Sequence, residues 1–112
     1  MGRDVLAHRQ TNLSRVLRRG RRLRDEHLVL VVRTGEQPWP RLGLAVSKGA
    51  GNSPARARMR RLCREAFRSL RQDWPEAVDV VVFARVPWPD ARLSEVRGEM
   101  ARQMDKVRWH KV

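Results

Sequence analysis

The stretch from Gly51 to Arg71 constrains the fold most, because it sorts its side chains into two opposite kinds. Ser53 can cap a helix that begins at Pro54, where a missing backbone N–H costs nothing. At about 100° per residue, the apolar side chains of this helix fall in a stripe roughly 140° wide. The stripe comprises Met59, Leu62, Cys63, Ala66, Phe67 and Leu70. One face of a long amphipathic helix is therefore expected to lie on the core.

The opposite face of the same helix is almost purely cationic. Glu65 is the lone acid between Pro54 and Gln72. Against it stand seven arginines: Arg56, Arg58, Arg60, Arg61, Arg64, Arg68 and Arg71. Like charges at i,i+4 destabilise an isolated helix by about 0.2 to 0.5 kcal/mol per pair, and surface helices usually mix their charges. Because a polyanionic partner removes this repulsion, the pattern favours a nucleic-acid surface over a merely solvated face.

The whole chain shares this excess of positive charge. Its 112 residues carry 25 Lys and Arg against 12 Asp and Glu, a formal net charge of +13. Arginine greatly outnumbers lysine, a bias that fits either phosphate recognition by guanidinium groups or a genome rich in G and C. Apolar residues gather in periodic segments. We therefore expect one folded RNA-binding domain over residues 1–112, with residues 1–8 flexible.

The cysteine content and the hydropathy of the chain bear on its expected cellular location. The single cysteine, Cys63, excludes an intramolecular disulfide and a cysteine-based zinc site, and its place in the apolar stripe predicts a small core residue. Uncharged apolar runs such as Leu28 to Val32 are too short to span a bilayer, and no signal leader is expected at the start of the chain. The expected location is the cytoplasm, with no membrane partner.

The remaining periodicities predict a small α+β domain. The predicted elements are a helix near residues 10–19, strands at 28–33 and 41–47, the basic helix at 54–71, a strand at 78–84 and a helix at 93–107. Gly20 is expected to adopt the left-handed conformation after the first helix. With room for one more strand, the order is α-β-β-(β)-α-β-α. A mixed sheet packed against helices on one face is the natural layered arrangement.

A second group of arginines follows the first helix. It comprises Arg18, Arg19, Arg21, Arg22 and Arg24. Arginines at the end of a helix interact favourably with its dipole, so a solvated helix exit is one interpretation. Contact with phosphate groups is the other, and the sequence leaves both open.

No arrangement of residues for RNA cleavage by this chain is visible. Two-metal nucleases need converging carboxylates, and metal-free ones need His or Lys acid–base pairs. His8, His27 and His110 lie far apart without ligand spacing. Asp25 and Glu26 adjoin His27, but neighbouring residues of an extended segment point to opposite faces. We therefore expect no catalytic residue and no metal ligand in this chain.

The four tryptophans allow two interpretations. Trp39, Trp74, Trp88 and Trp109 each lie near a proline or a chain end. Packing at the edge of the core is the favoured role for them, and stacking on RNA bases is the alternative. Trp109 has basic neighbours, so RNA contact is the alternative that applies best at that position.

Residues 44–67 resemble the signature of the bacterial ribonuclease P protein component. That family carries a G-x-x-V-S-K strand, a G-N turn and an R-N-R-x-K-R-x-x-R-E-x-F helix. The corresponding segments here are LAVSK at 44–48, GN at 51–52 and RARMRRLCREAF at 56–67. The other predicted elements also follow the family's order, so the resemblance extends from about Leu6 to Trp109.

This resemblance implies a fold and a function. The fold is similar to ribosomal-protein-S5-domain-2, with the basic helix following a central strand through an unusual crossover. The implied function is the accessory subunit of the endoribonuclease that matures tRNA 5′ ends. Its chemistry would reside in the RNA subunit, which would also hold most of the Mg²⁺, with none bound by protein side chains alone. The implied partners are ribonuclease P RNA and precursor tRNA, not DNA.

The resemblance also implies two sets of site residues. The RNA-binding set is Lys48, Asn52, Arg56, Arg58, Arg60, Arg61, Arg64 and Arg68. The cleft for the 5′ leader of precursor tRNA would be formed by Leu13, Leu17, Leu28 and Val31. Ala57 replaces the family's Asn, and the cleft positions are aliphatic where the family commonly has Phe or Tyr. Stacking of leader bases on an aromatic ring is therefore expected to be absent.

A general RNA-binding or ribosomal-type protein is the competing interpretation. It would use the same basic helix without contacting any substrate. Both interpretations predict steep salt dependence of RNA binding, so only substrate discrimination separates them.

Overall fold

The elements of the chain follow the order that the sequence predicts. A computed structural model describes residues 16–35, 37–74 and 77–107. Helices lie at residues 16–19 (α1), Ser53–Leu70 (α2) and Leu93–Met104 (α3). Strands lie at Arg21–Arg24 (β1), Leu28–Thr34 (β2), Arg41–Val46 (β3) and Val78–Ala84 (β4). Short 3-10 helices, Lys48–Ala50 and Arg71–Asp73, flank α2. The expected flexibility of residues 1–8 falls outside the described residues.

The four strands form one mixed sheet in the order β1-β2-β4-β3. Pairing is antiparallel between β1 and β2 and between β2 and β4, whereas β3 and β4 are parallel. A parallel pair of neighbouring strands needs a crossover connection, and here α2 supplies it. The sequence of β4 is apolar except for Asp79, and all of its residues but Phe83 are buried, as expected for a central strand. The basic helix thus follows the edge strand β3 and leads into the central strand β4, so the expectation that it follows a central strand is wrong.

The two faces of the sheet carry different layers. α2 and α3 pack on one face, where Leu30, Phe67 and Met100 belong to one large core cluster. On the other face Val16 of α1 packs with Val31 and Val81 in a smaller cluster. The prediction of helices on one face is therefore correct for α2 and α3, but α1 lies on the opposite face. The second face is only partly covered by described residues, since Phe83 beside this cluster is half-buried.

The additional strand is β1, which begins directly after α1. Arg21, Arg22 and Arg24 of this edge strand are exposed, and Leu23 alone faces the core. Charged side chains on an edge strand discourage pairing with other chains. The second arginine group therefore lies mainly on a sheet edge. Its contact with phosphate groups stays a prediction.

Gly20 is required for space and not for a left-handed backbone. Among the described glycines, only Gly51 has a positive φ, at 133°. A Cβ atom on Gly20 would lie 2.4 Å from the Val16 carbonyl oxygen and 2.6 Å from Val31 Cγ1. The predicted left-handed conformation of Gly20 is therefore wrong. Glycine stands there because the turn from α1 into β1 runs directly against β2.

Tryptophan side chains lie at the edge of the large core cluster. Trp74 and Trp88 are half-buried and pack against this cluster, as predicted for edge packing. The Trp74 ring meets Phe67 edge-on, with 5.6 Å between ring centroids. Trp39 is half-buried as well, and Trp109 falls outside the described residues.

Two buried polar residues of α3 hold the turn between β1 and β2. Glu99, which is 1% exposed, accepts hydrogen bonds from the backbone N–H groups of His27 at 2.9 Å and Leu28 at 2.6 Å. Gln103 Nε2 donates to the carbonyl oxygens of Leu23 at 2.9 Å and Leu28 at 2.8 Å. Buried backbone groups need such partners, so α3 fixes the turn as well as covering the sheet.

We predict that Glu99→Leu lowers the free energy of unfolding by about 2 kcal/mol, because the N–H groups of His27 and Leu28 lose their acceptor. Urea unfolding followed by circular dichroism measures this change. Glu65→Leu makes the same substitution at an exposed helical position and should stay within about 0.5 kcal/mol of the wild type. Equal losses in the two variants would contradict the proposed role of Glu99.

Candidate nucleic-acid interface

α2 begins one residue earlier than the sequence predicts. Its N-cap is Asn52, whose Oδ1 accepts a hydrogen bond from the Ala55 backbone N–H at 3.0 Å. The predicted cap, Ser53, is wrong: Ser53 is the first helical residue and Pro54 follows in the first turn. Both residues are good caps, and Asn ranks with the best. The Asn52 amide nitrogen forms no hydrogen bond with any described residue, so it is free to donate to a ligand.

The two faces of α2 match the prediction. Its buried residues are Met59, Leu62, Cys63, Ala66, Phe67 and Leu70, which is the complete predicted stripe. On the other side, Arg58, Arg61, Arg64 and Arg68 are exposed, and Arg56 and Arg60 are half-buried. We call these six arginines the cationic face of α2. Lys48, also exposed, lies in the 3-10 helix that leads into it.

The cationic face has no internal counterions among the described residues. None of its six arginines forms an ion pair with an acid in residues 16–35, 37–74 or 77–107. Acids are paired elsewhere instead: Asp79 binds Arg41 at 2.9 Å, and Asp25 binds Arg102 at 3.2 Å. The positive charge of the cationic face is therefore left for an external anion.

Two members of the cationic face are positioned by neutral groups. Arg58 Nη2 donates to the Ala91 carbonyl oxygen and so ties α2 to the loop before α3. Arg56 Nη2 donates to Ser53 Oγ at 3.1 Å, and its buried Nε has no acceptor among the described residues. Carbonyl and hydroxyl oxygens carry no formal charge. These contacts therefore orient the two guanidinium groups without neutralising them.

The four predicted leader-cleft residues do not come together. Leu13 falls outside the described residues. Leu28 is 1% exposed and belongs to the core beneath α2 and α3, whereas Val31 is buried on the opposite face, next to half-buried Leu17. Residues an odd number apart on a strand point to opposite faces, which separates Leu28 from Val31. Leu28 therefore does not line a cleft with Leu17 and Val31.

An aromatic ring lies on the face where Leu17 and Val31 are found. Phe83 is only half-buried there, and the Arg85 guanidinium carbon lies 4.7 Å from its ring centroid. A shallow groove of about 280 Å³ runs beside this pair and reaches Ala45 and Ser47. Phe83 thus places an aromatic ring next to Leu17 and Val31, whereas the predicted cleft positions themselves are aliphatic. Alternation along β4 predicts that Phe83 shares a face with Val81. Which face that is follows only from the position of α1 on the sheet.

Candidate catalytic groups are engaged or buried. His27 Nδ1 lies 3.0 Å from Glu99 Oε1, and burial raises the pKa of the Cys63 thiol to about 12, with the Glu99 charge acting in the same direction. In the described ranges, no group of three or more His, Cys, Asp or Glu side chains could hold a metal ion. No helix in this part of the chain is both long and apolar enough to cross a membrane.

Comparison with known proteins agrees with the geometry. The Ribonuclease P family model matches residues 3–108. The chain belongs to the ribonuclease P protein family. The ribonuclease P protein component of Shouchella clausii is 35% identical over 109 residues, which cover 96% of this chain and 89% of that relative. That of Pelotomaculum thermopropionicum is 32% identical over 104 residues, covering 93% and 92%.

Solved structures support the fold. The ribonuclease P protein from Thermotoga maritima has a TM-score of 0.79 at 24% identity, covering 94% of this chain and 98% of that one. The protein from Staphylococcus aureus gives 0.75 at 24% identity, covering 88% and 91%. As a member of this family, the chain is the accessory protein subunit of an endoribonuclease for tRNA 5′ maturation.

We predict that Cys63 resists alkylation by iodoacetamide at pH 8 in the folded protein and reacts after unfolding in guanidinium chloride. Mass spectrometry measures the labelled fraction. Because its pKa is raised to about 12 from 9.0, the unfolded state loses the thiol proton first, so this group's contribution to stability declines as pH rises above about 9. Rapid labelling of the folded protein would contradict the placement of Cys63 on the core side of α2.

Proposed function

We propose that this chain binds the RNA subunit of ribonuclease P through the cationic face of α2. Six guanidinium groups that form no ion pair with a described residue, on a helix whose other face is buried, carry this proposal. One guanidinium group can donate two parallel hydrogen bonds to the oxygens of a phosphate. Each phosphate that is neutralised in this way also releases counterions from the RNA. Lys48 and Asn52 extend the surface at the start of the helix. The proposed set is Lys48, Asn52, Arg56, Arg58, Arg60, Arg61, Arg64 and Arg68.

The chemistry of cleavage is assigned to the RNA subunit in this proposal. Mg²⁺ prefers oxygen ligands such as carboxylates, and the described residues bring no such cluster together. Phosphate oxygens are also good Mg²⁺ ligands, so the RNA would hold most of the metal in this proposal. This chain would screen the repulsion between phosphates and stabilise the folded RNA. The proposed location is the cytoplasm.

The open face of the sheet is the proposed contact for the 5′ leader of precursor tRNA. Phe83 offers a ring, Arg85 a guanidinium plane, and Leu17 an apolar neighbour. Unpaired RNA bases stack on both kinds of surface. The groove reaches Ser47, one residue before Lys48, so the leader surface would adjoin the cationic face. Leu13 stays a predicted member of this surface.

Reconstitution tests the proposed function. Adding this protein to a bacterial ribonuclease P RNA should stimulate cleavage of precursor tRNA at low Mg²⁺, because the bound protein lowers the repulsion that Mg²⁺ otherwise screens. The measured quantity is the cleavage rate over a range of Mg²⁺ concentrations. Failure to stimulate, with RNA binding intact, would leave the general RNA-binding interpretation.

We predict that replacing Arg60 and Arg64 together by alanine weakens binding to ribonuclease P RNA at least about tenfold, because two charge-assisted contacts are lost. The melting temperature should barely change, since neither side chain lies in the core. Arg97 and Arg102, which are exposed on α3, provide a control pair with the same loss of charge. Equal weakening by the control pair would show that only net charge matters.

We predict that Phe83→Leu lowers the preference of the reconstituted enzyme for precursor tRNA over mature tRNA by about fivefold, which is the low end for losing one stacked base. Leucine keeps the small cluster with Val31 and Val81 filled, so the fold is retained. Binding measurements with both RNAs give the ratio. An unchanged ratio would remove Phe83 from the leader surface.

A further inference from the structure

A pocket of about 250 Å³ adjoins the cationic face at the start of α2. One wall is the loop between β4 and α3, residues 87–91, and the other comprises residues 50–52 and the first turns of α2. The side chains that bring chemistry to it are Trp88, Asp90, Arg58 and Asn52. The family resemblance assigns no role to Trp88 or Asp90, and the proposed RNA and leader surfaces do not include them.

Trp88 is held in one orientation. Its indole stacks on the His27 imidazole, with 3.8 Å between ring centroids and 7° between ring planes. His27 is held in turn by two contacts with buried Glu99. Trp88 lines the pocket, whereas His27 does not. A pre-oriented aromatic wall loses little side-chain entropy when a ring stacks on it, which favours a planar ligand.

Asp90 is unusual in both backbone and charge. Its φ is 57°, and in the described part of the chain it is the only non-glycine residue with a positive φ. Such backbone is sparsely populated and persists where the surrounding structure fixes it, often at ligand sites. Its carboxylate forms no hydrogen bond or ion pair with any described residue, although Arg58 borders the same pocket. This acid is therefore left for an external donor.

We infer that the pocket takes one unpaired guanine base of the RNA that α2 binds, an inference that rests on the proposed function. The indole of Trp88 supplies the stacking surface. The Asp90 carboxylate accepts the two adjacent N–H donors on the Watson–Crick edge of guanine, an edge on which the other bases offer only one donor group. Arg58, fixed by the Ala91 carbonyl, places a positive charge beside the phosphate of the same nucleotide. The small volume suits a single base.

The first test measures base preference with free nucleotides. The indole N–H signal of Trp88 is the one that is present in the NMR spectrum of the wild-type protein and missing in that of Trp88→Phe. Titration with GMP, AMP, CMP and UMP should shift this signal and the Asp90 amide at concentrations at least about fivefold lower for GMP. Asp90→Asn, which tolerates the same backbone, should remove the preference for GMP. Equal shifts with all four nucleotides, or none, would overturn the inference.

The second test uses ribonuclease P RNA. Trp88→Leu should lower RNA affinity about tenfold, the effect of losing one stacked base, whereas Trp88→Phe should stay within about threefold of the wild type. Thermal unfolding checks that each variant folds. If Trp88→Leu does not fold, Asp90→Asn takes its place and should lower RNA affinity at least about threefold. Wild-type RNA affinity in the folded variant would overturn the inference.

The two proposals can fail separately. If the Arg60 and Arg64 pair lowers RNA affinity while Trp88→Leu does not, the pocket assignment fails and the proposed function stands. If the wild type neither binds ribonuclease P RNA tightly nor stimulates cleavage, the proposed function fails. A selective response to GMP would then support the pocket as a guanine site on its own.

Discussion

Burial of the apolar stripe of α2 is the interaction on which the rest of the structure depends. Phe67 and Cys63 lie fully within the core, and this fixes the rotation of the helix about its axis. Rotating α2 would bury a guanidinium group without a partner, which costs several kcal/mol. Burial of one face therefore forces six arginines outward on the other. Core formation and construction of the RNA surface are the same event in this helix.

A second link joins the core to the loop before α3. Glu99 accepts from the turn between β1 and β2 and holds His27, and His27 stacks on Trp88. Arg58 ties the same loop to α2 through the Ala91 carbonyl. The loop is thus fixed from both helices. The first turns of α2 therefore lie next to a fixed loop. A fixed surface suits the binding of folded RNA better than the binding of a flexible chain.

Sequence patterns predicted the elements in which several apolar residues repeat with a helical or strand period. These include α2 and the three longer strands. β1 could not be found in this way, because Leu23 is its only inward residue. Glu99 lies at i+3 from Val96 on the apolar side of α3, but glutamate is usually exposed, and only its tertiary partners explain its burial. The split of Leu28 and Val31 between two faces follows from strand alternation, but choosing the face of Phe83 required the position of α1. The cationic face could be predicted without the structure, because the spacing of its arginines alone places them opposite the apolar stripe.

The salt dependence of binding to ribonuclease P RNA tests the central claim most directly. If the cationic face neutralises about six phosphates, a plot of log affinity against log salt concentration falls with a slope of about −4 to −5. Removing Arg60 and Arg64 should reduce the magnitude of that slope by about 1.5, since two phosphate contacts are lost. A slope near zero, or one that the removal of these two arginines leaves unchanged, would contradict the assignment of this face to RNA.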